Sequence, residues 1–339
     1  MRKPLVSVIV LAFNGREYLG DCLLSVVAQR YPEIEIIVVD NASRDGSAEF
    51  VEEQFPAVRL VRNSYNMGFA GGNNVGLSLA RGDYIALLNQ DTKADPRWVE
   101  ELVKVAEGEH RVGICAPKLL YMNDPKRLNS AGHLMYGDLS TVERGMGETD
   151  AGQYDRQEEV FAAWGAATFY RKAMLDQVGV FDDHYFVLGE ATDLAWRARL
   201  AGWKCIYVPT AVVYHVHSAS TGLYSALKLY YGERNRIWNV VKFLPATCLA
   251  ASVLCTFRRY AAMGLFALRS SEPKARAARR QSLAMLARTL VRAWVDAFRG
   301  LPRVVAERRR IQRTKVVSNR QIRHWLRQYR ADLKSVVER

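Results

Sequence analysis

The sequence predicts an α/β fold: a doubly wound, mostly parallel sheet followed by a C-terminal α-helical extension. Three observations predict it. Residues 5 to about 120 alternate short apolar runs with helical segments, as expected of strand–helix–strand units with right-handed crossovers. Three apolar runs end abruptly in polar residues: Asn14 after Val6–Phe13, Asp40-Asn41 after Glu35–Val39, and Asn89-Gln90-Asp91-Thr92 after Tyr84–Leu88. After about Ser218 the texture changes to long, arginine-rich helical segments.

Val6–Phe13 reads as the first strand. Met1-Arg2-Lys3-Pro4 ahead of it superficially resembles a secretion signal, but the apolar run is short, ends in Asn14-Gly15 and lacks a small-residue cleavage site. Arg16–Gln29 reads as a helix, Ile34–Asp40 as a strand, and Ser47–Phe55 as a helix with Ser43 and Asp45 as caps. Val58–Asn63 follows as a short strand, Gly71–Arg81 as a helix, Tyr84–Asn89 as a strand, and Pro96–Glu107 as a helix with proline in its first turn. Residues 121–160 show no clean period and read as loop or small hairpins that shape an acceptor site. Phe161–Arg171 reads as a strand, Lys172–Val178 and Ala191–Ala201 as helices, and Cys205–Val208 and Val212–His215 as short strands. Leu223–Phe243 is aromatic and basic, while Leu244–Leu268 is apolar but interrupted by Pro245 and Arg258-Arg259. Its apolar stretches fall short of the ~20 residues that span a bilayer. Lys274–Arg313 is amphipathic, with Leu283, Leu286, Leu290, Trp294 and Phe298 at helical spacing among arginines.

Hydrophobic residues make up 49% of the 339, enough for a real core and too many for a disordered chain. Five cysteines (22, 115, 205, 248, 255) are scattered without disulfide or metal-ligand spacing, as for reduced thiols of a cytosolic protein. The net charge of +13 is unevenly spread. Residues 1–218 hold 22 Lys and Arg against 29 Asp and Glu, a net of −7, whereas 219–339 hold 26 against 6, a net of +20. We therefore expect a domain over 1–218 and a basic helical region over 219–339 with an anionic partner, either membrane lipid or nucleic acid.

A buried parallel strand that delivers a carboxylate at its C-terminal end is how open α/β sheets present ligand and metal groups. Three such polar strand ends suggest a nucleotide site with a divalent cation, centred on Asp91. Asp40 sits where a carboxylate can accept from a pyrimidine N–H or a ribose hydroxyl; the competing reading is a helix N-cap. Gly68-Phe69-Ala70-Gly71-Gly72-Asn73-Asn74 precedes a helix and allows close approach of a diphosphate to backbone N–H groups. The competing reading is a tight turn with positive φ at the glycines.

Ordered motifs carry a resemblance over roughly residues 5–220: Val6-Ser7-Val8-Ile9-Val10; Val39 to Ser47; Asn66 to Asn74; Asn89-Gln90-Asp91-Thr92; Gly179-Val180-Phe181-Asp182; Asp193-Leu194; and Pro209-Thr210-Ala211 ahead of His215. The chain resembles the inverting glycosyltransferases of family 2, which adopt the nucleotide-sugar-binding fold known as GT-A, and more narrowly their bacterial rhamnosyltransferase-like members. The resemblance implies a donor site of Phe13, Asn14, Asp40, Asn66, Gly68, Ala70, Gly71, Asn73, Asn89 and Asp91 for a dTDP- or UDP-sugar. It implies Mg²⁺ or Mn²⁺ on Asp91 and His215, with His217 as a nearby competitor. Asn89 and Gln90 replace the family's other acidic positions, so metal affinity without nucleotide should be weak. Trp164, Phe186 and Trp196 are candidates for the acceptor side, against ordinary core packing.

The main departure is Gly189-Glu190-Ala191-Thr192-Asp193-Leu194. Ala191 stands where the family carries the Asp that deprotonates the acceptor, a role that typically contributes ~10²–10⁴-fold. Glu190 serving as base, a natural relative of low activity, and an engineered alanine remain open readings. Asp193 is expected to be structural or to orient the acceptor. The resemblance implies inverting transfer of a sugar, rhamnose favoured, to a glycan or lipid-linked glycan in cell-surface polysaccharide synthesis. The location implied is cytoplasmic and peripheral on the inner face of the bacterial membrane, with the basic helices on anionic lipid or in a homodimer. A non-catalytic nucleotide-sugar-binding scaffold is the alternative. A nucleic-acid-binding role is remote, because the first 218 residues are acidic and no nucleic-acid motif is present.

Overall fold

The computed structural model of the protein describes residues 2–216, 226–269 and 283–338. The chain divides into two compact units, one of residues 1–133 and 143–220, the other of 134–142 and 221–339.

In the first unit, β1 (Val6–Ala12) pairs in parallel with β2 (Ile34–Asp40) and β4 (Tyr84–Asn89), and β2 pairs in parallel with β3 (Arg59–Arg62). Strands β1 and β4 are apolar almost throughout because they are buried on both faces. The sheet continues from β4 through the antiparallel β11 (Ala167–Arg171), β6 (Val112–Tyr121), β12 (Lys204–His215) and β10 (Glu158–Glu159). Short β5 (Thr92–Ala94) and β7 (Leu128–Ser130) pair with β12 and β6; β8 (His133–Met135) and β9 (Thr141–Glu143), which pair with each other, belong mostly to the second unit. Helices α1 (Arg16–Val27), α2 (Ser47–Gln54), α3 (Gly68–Leu79), α4 (Trp98–Gly108), α5 (Lys172–Val178) and α6 (Glu190–Leu200) connect the strands. The core gathers Val8, Val10, Leu19, Leu88, Trp98, Leu102 and Phe169, all nearly inaccessible.

Several elements differ from the sequence reading. Strand β6 was not anticipated: Pro117 and Lys118 disguise a ten-residue run that is buried almost throughout. Lys118 is tolerated there because its Nζ reaches Asp150 at 2.9 Å and Asp155 at 2.5 Å. Only the second half of Phe161–Arg171 is strand, and it runs antiparallel to β4. Cys205–Val208 and Val212–His215 belong to one strand, β12, with a shifted register between Val208 and Val212. Helix α3 starts at Gly68 rather than Gly71, so the glycine-rich motif is the helix itself. A Cβ at Gly72 would lie 2.5 Å from Leu11, and one at Gly76 2.5 Å from Ile9. The missing side chains let α3 lie directly on β1.

The second unit is helical: Ala226–Phe243, Ala246–Arg269, Leu283–Arg299, Leu301–Thr314, Asn319–Gln328 and Leu333–Glu338. The expected interruption at Arg258-Arg259 does not occur. Pro245 only marks the start of the helix, and Arg259 turns inward, its Nε 2.9 Å from Asp138 Oδ2 and its Nη2 2.5 Å from Glu233 Oε1. The amphipathic stretch expected over Lys274–Arg313 is two helices separated at Gly300. Residues 223–225 and 274–282 of the expected segments lie outside the described residues, as does His217. Among the described residues, no helix is long and apolar enough to cross a membrane. All five cysteines are free; Cys22, Cys115 and Cys205 are buried, and Cys248 and Cys255 half-buried.

Candidate functional site

The register of the parallel strands assembles the first half of the site. Ala12 pairs with Asp40 and Leu11 with Asn89, so the C-terminal ends of β1, β2 and β4 lie together at one edge of the sheet. Gln90 fastens two of them: its Oε1 accepts from the Phe13 N–H at 2.8 Å and its Nε2 donates to the Phe13 carbonyl at 3.0 Å. The replacement of an acidic residue at this position thus has a structural use that sequence reasoning missed. Asn14, at φ 46°, accepts from the Arg44 N–H at 2.8 Å and donates its own N–H to Ser43 Oγ at 3.0 Å. These contacts shape an open cavity of about 610 Å³ lined by Phe13, Asn14, Asp40, Arg44, Tyr65 and Asn66, among others.

Asp40 is 4% exposed. Its Oδ2 accepts from the Ser43 N–H at 3.1 Å, so part of the capping role holds, though for the turn before α2 rather than the helix itself. Its buried Oδ1 finds no hydrogen-bond partner among the described residues. A buried carboxylate oxygen left unmatched costs about 1–3 kcal/mol or more, and a ligand donor in the cavity removes that cost.

The second half lies where β5 meets β12. Antiparallel pairing of Thr92 with His215 brings His215 Nε2 to 3.5 Å from Asp91 Oδ1, with both side chains buried. Asn129, on β7, sets the imidazole: its Oδ1 lies 2.8 Å from Nδ1. An amide oxygen there places the proton on Nδ1 and turns the Nε2 lone pair toward the carboxylate. Two lone pairs that face each other repel unless a proton or a cation lies between them. The pair therefore fits a divalent ion with two protein donors; among the described residues no cluster of three or more His, Cys, Asp or Glu could hold one. Nothing in the sequence pointed to Asn129. Trp164 packs edge-on against His215, ring centroids 5.0 Å apart.

The glycine-rich segment is organised differently from the expectation. The Met67 N–H donates to Asn41 Oδ1 at 3.0 Å, the Gly68 N–H to Asn66 Oδ1 at 2.8 Å, and the Ala70 N–H to the Phe186 carbonyl at 3.1 Å. Three amides at the start of α3 are therefore engaged within the protein. Asn73 bonds back to the Phe69 carbonyl at 2.9 Å, and Ala70 is fully buried. The positive-φ reading holds for Gly68, at φ 72°, where a Cβ would lie 2.4 Å from the Phe186 carbonyl. Gly71 and Gly72 are ordinary helical positions, without positive φ. Phe186 thus braces the start of α3.

Phe186, Leu188 and Gly189 all have positive φ, a strained approach to α6 of the kind that accumulates at functional sites. Glu190 follows, 6% exposed, its Oε2 without a hydrogen-bond partner among the described residues. Burial foremost, and then the nearby Asp193 charge, push its carboxyl up to about 7. A Cβ at Gly165 would lie 3.8 Å from Glu190 Oε1, so Gly165 leaves room beside that carboxyl, while its neighbour Trp164 packs on His215. Ala191, 8% exposed, contributes only a methyl group. Asp193 is fully enclosed: it accepts from Arg197 Nε at 2.7 Å and from the Tyr185 hydroxyl at 3.2 Å. That geometry is structural. Trp196, 0% exposed and 4.8 Å from Phe161, is core and not an acceptor wall.

The model of Glycosyl transferase family 2 matches residues 7–179, about half of the chain. An N-acetylglucosaminyl-diphospho-decaprenol L-rhamnosyltransferase of Mycobacterium tuberculosis is 27% identical over 244 residues, covering 64% of this chain and 78% of the relative. The chain spans from about a third to 78% of the length of the curated relatives it matches first. Among solved structures, S. aureus TarS 1-349 in complex with UDP superposes with a TM-score of 0.57 at 18% identity, over 98% of this chain and 90% of that one. The mannosyltransferase PcManGT from Pyrobaculum calidifontis, solved with GDP-Man and Mn²⁺, gives 0.53 at 18% identity over 88% of both chains. These likenesses establish the fold, which is that of the GT-A glycosyltransferases.

Proposed function

The chain belongs to glycosyl transferase family 2, and on that premise we propose that it moves a sugar, with inversion, from a nucleoside-diphosphate donor to a glycan or lipid-linked glycan acceptor at a bilayer surface. The donor's nucleoside occupies the cavity at the ends of β1 and β2. There Asp40 Oδ1 accepts from a pyrimidine N–H or a ribose hydroxyl, which favours a dTDP- or UDP-sugar. Rhamnose is the favoured sugar, by likeness to the mycobacterial rhamnosyltransferase. Asp91 and His215 would hold Mg²⁺ or Mn²⁺, which when bound offsets the charge that develops on the leaving diphosphate.

Glu190 takes the acceptor's proton. Its carboxylate replaces the missing base at Ala191 and lies beside the loop that packs on His215. The observation that carries this role is the combination of burial, an Oε2 without a partner among the described residues, and a carboxyl pushed up to about 7. A base poised near the working pH is the efficient one. The acceptor hydroxyl gives its proton to Glu190 as its oxygen attacks the anomeric carbon opposite the departing diphosphate.

The test is transfer from dTDP-rhamnose and a panel of UDP-sugars to a short-chain diphosphate-linked N-acetylglucosamine acceptor with Mn²⁺. Glu190→Gln should lower kcat by ~10²-fold or more while leaving donor binding intact. Ala191→Asp should raise the rate of the Glu190→Gln background. Unchanged kcat in Glu190→Gln would remove Glu190 as the base. Donor binding without transfer in every variant would favour the scaffold reading that Ala191 raises.

A further inference from the structure

The helix Ala246–Arg269 is turned inside out. Ser252, Thr256 and Arg259 face inward, at most 6% exposed, while Val253, Leu254, Phe257 and Leu265 are 51–60% exposed. The inversion has a cause. Arg259 is drawn in by Asp138 and Glu233, and Thr256 Oγ1 lies 3.2 Å from Arg236 Nη1. With the polar face committed to the interior of the unit, the apolar face is left on the outside.

The helix Leu283–Arg299 adds a second outward stripe: Val291, Val295 and Phe298, at helical spacing and 41–63% exposed. Tyr260 of the first helix and Leu290, Val291, Trp294, Val295 and Phe298 of the second line one groove of about 370 Å³. Single exposed apolar residues are ordinary, but a contiguous apolar surface rimmed by charge marks an interaction site. The rim is basic. The two helices carry Arg258, Arg269, Arg288, Arg292 and Arg299 at the surface against a single acid, Asp296. Arg258 and Arg259 stand at the middle of the first helix, so it lies along an interface and not across one.

We propose that this face docks on an anionic phospholipid bilayer. Its apolar side chains enter the boundary between headgroups and acyl chains, and its arginines lie against lipid phosphates. Charge decides the occupant: in a symmetric pair of copies each basic rim would meet its own duplicate, whereas an anionic leaflet complements it. The inference deepens the proposed lipid-linked acceptor by assigning the surface that meets the bilayer, and it is decided by vesicle binding, which does not depend on sugar transfer.

The full chain is mixed with 100-nm vesicles of phosphatidylcholine, with and without ~30% phosphatidylglycerol, and binding is read by flotation. The wild type should partition onto the anionic vesicles at least tenfold better than onto neutral ones. Phe257→Glu, Phe298→Glu and the pair Arg258→Glu with Arg288→Glu should each reduce that binding at least tenfold. Leu24→Ser, an exposed apolar position in the first unit, should bind like the wild type and serves as control. All substituted side chains are exposed, and thermal melts of each variant check that it folds. Equal binding to both vesicle types, or unaffected binding in all the face variants, overturns the proposal. So does a dimer in sedimentation that Phe257→Glu dissociates, which would make a second copy the occupant. Transfer to a soluble short-chain acceptor that survives the loss of vesicle binding would separate a failure of docking from a failure of the enzymatic reading.

Discussion

Replacing Glu190 by glutamine should weaken catalysis and strengthen the fold, and the second effect can be sized from the structure. The carboxyl is buried and pushed up from an ordinary 4.5 to about 7, while in the unfolded chain it regains the ordinary value. Between those two values the folded state holds a proton that the unfolded state has released. Unfolding free energy therefore falls as pH rises through this window, and the loss is complete above pH 7. At ~1.4 kcal/mol per pH unit, the difference between 4.5 and about 7 amounts to roughly 3 kcal/mol. Glutamine has nearly the same shape and cannot ionise. Urea unfolding followed by tryptophan fluorescence should give Glu190→Gln and wild type similar stability at pH 4.5. At pH 8 the first unit of the variant should be more stable by up to about 3 kcal/mol. The pH–rate profile of the wild type should show its acid limb near 7. A stability difference that does not change between pH 4.5 and 8 would refute the reasoning, because the carboxyl would then be no more protonated in the folded state than out of it.

Two further predictions follow from the other buried charges. Asp91→Asn should abolish the Mn²⁺-dependent part of UDP binding in calorimetry, while Mn²⁺ alone binds the wild type weakly, since the chain offers two donors and the diphosphate must supply others. Asp138→Asn should cost ~3–5 kcal/mol in urea unfolding of the helical unit, because it removes a carboxylate that faces Arg236 and Arg259 in a buried site. Burial alone would push the Asp138 carboxyl up, but the two guanidinium groups outweigh it and hold it below the usual carboxylate range. Its contribution in the wild type should accordingly persist above that range and vanish as pH falls through the lowered value.

The parallel core was legible in the sequence because each of β1, β2 and β4 is a local apolar run that stops at a polar residue. The same locality made Asp40 and Asp91 visible as candidates, while His215 came from the resemblance. Strand β6 was hidden because Pro117 and Lys118 break the pattern that a strand shows. What makes them tolerable, the reach of Lys118 to Asp150 and Asp155, is remote in the chain. The α3 glycines were seen, but their use was not. Gly72 and Gly76 serve the approach of a helix to β1, and the amides of Met67, Gly68 and Ala70 at the start of α3 are taken by Asn41, Asn66 and Phe186. The expectation of an interrupted helix at Arg258-Arg259 failed for a related reason. Whether an arginine breaks an apolar face depends on whether carboxylates wait for it, and Asp138 and Glu233 lie 121 and 26 residues away.

The sequence by itself determined the family, the strand ends that carry the chemistry and the absence of a carboxylate at Ala191, since each is a matter of residue identity and local order. Only the tertiary structure decided that Asp91 and His215 meet at 3.5 Å, that Asn129 orients the histidine, and that Asp193 is spent on Arg197 and Tyr185. It also decided that Glu190 is left buried with an oxygen that finds no partner among the described residues. Proximity and desolvation arise only when distant segments fold against one another, and here they separate a carboxylate that can accept a proton from one that holds a helix in place.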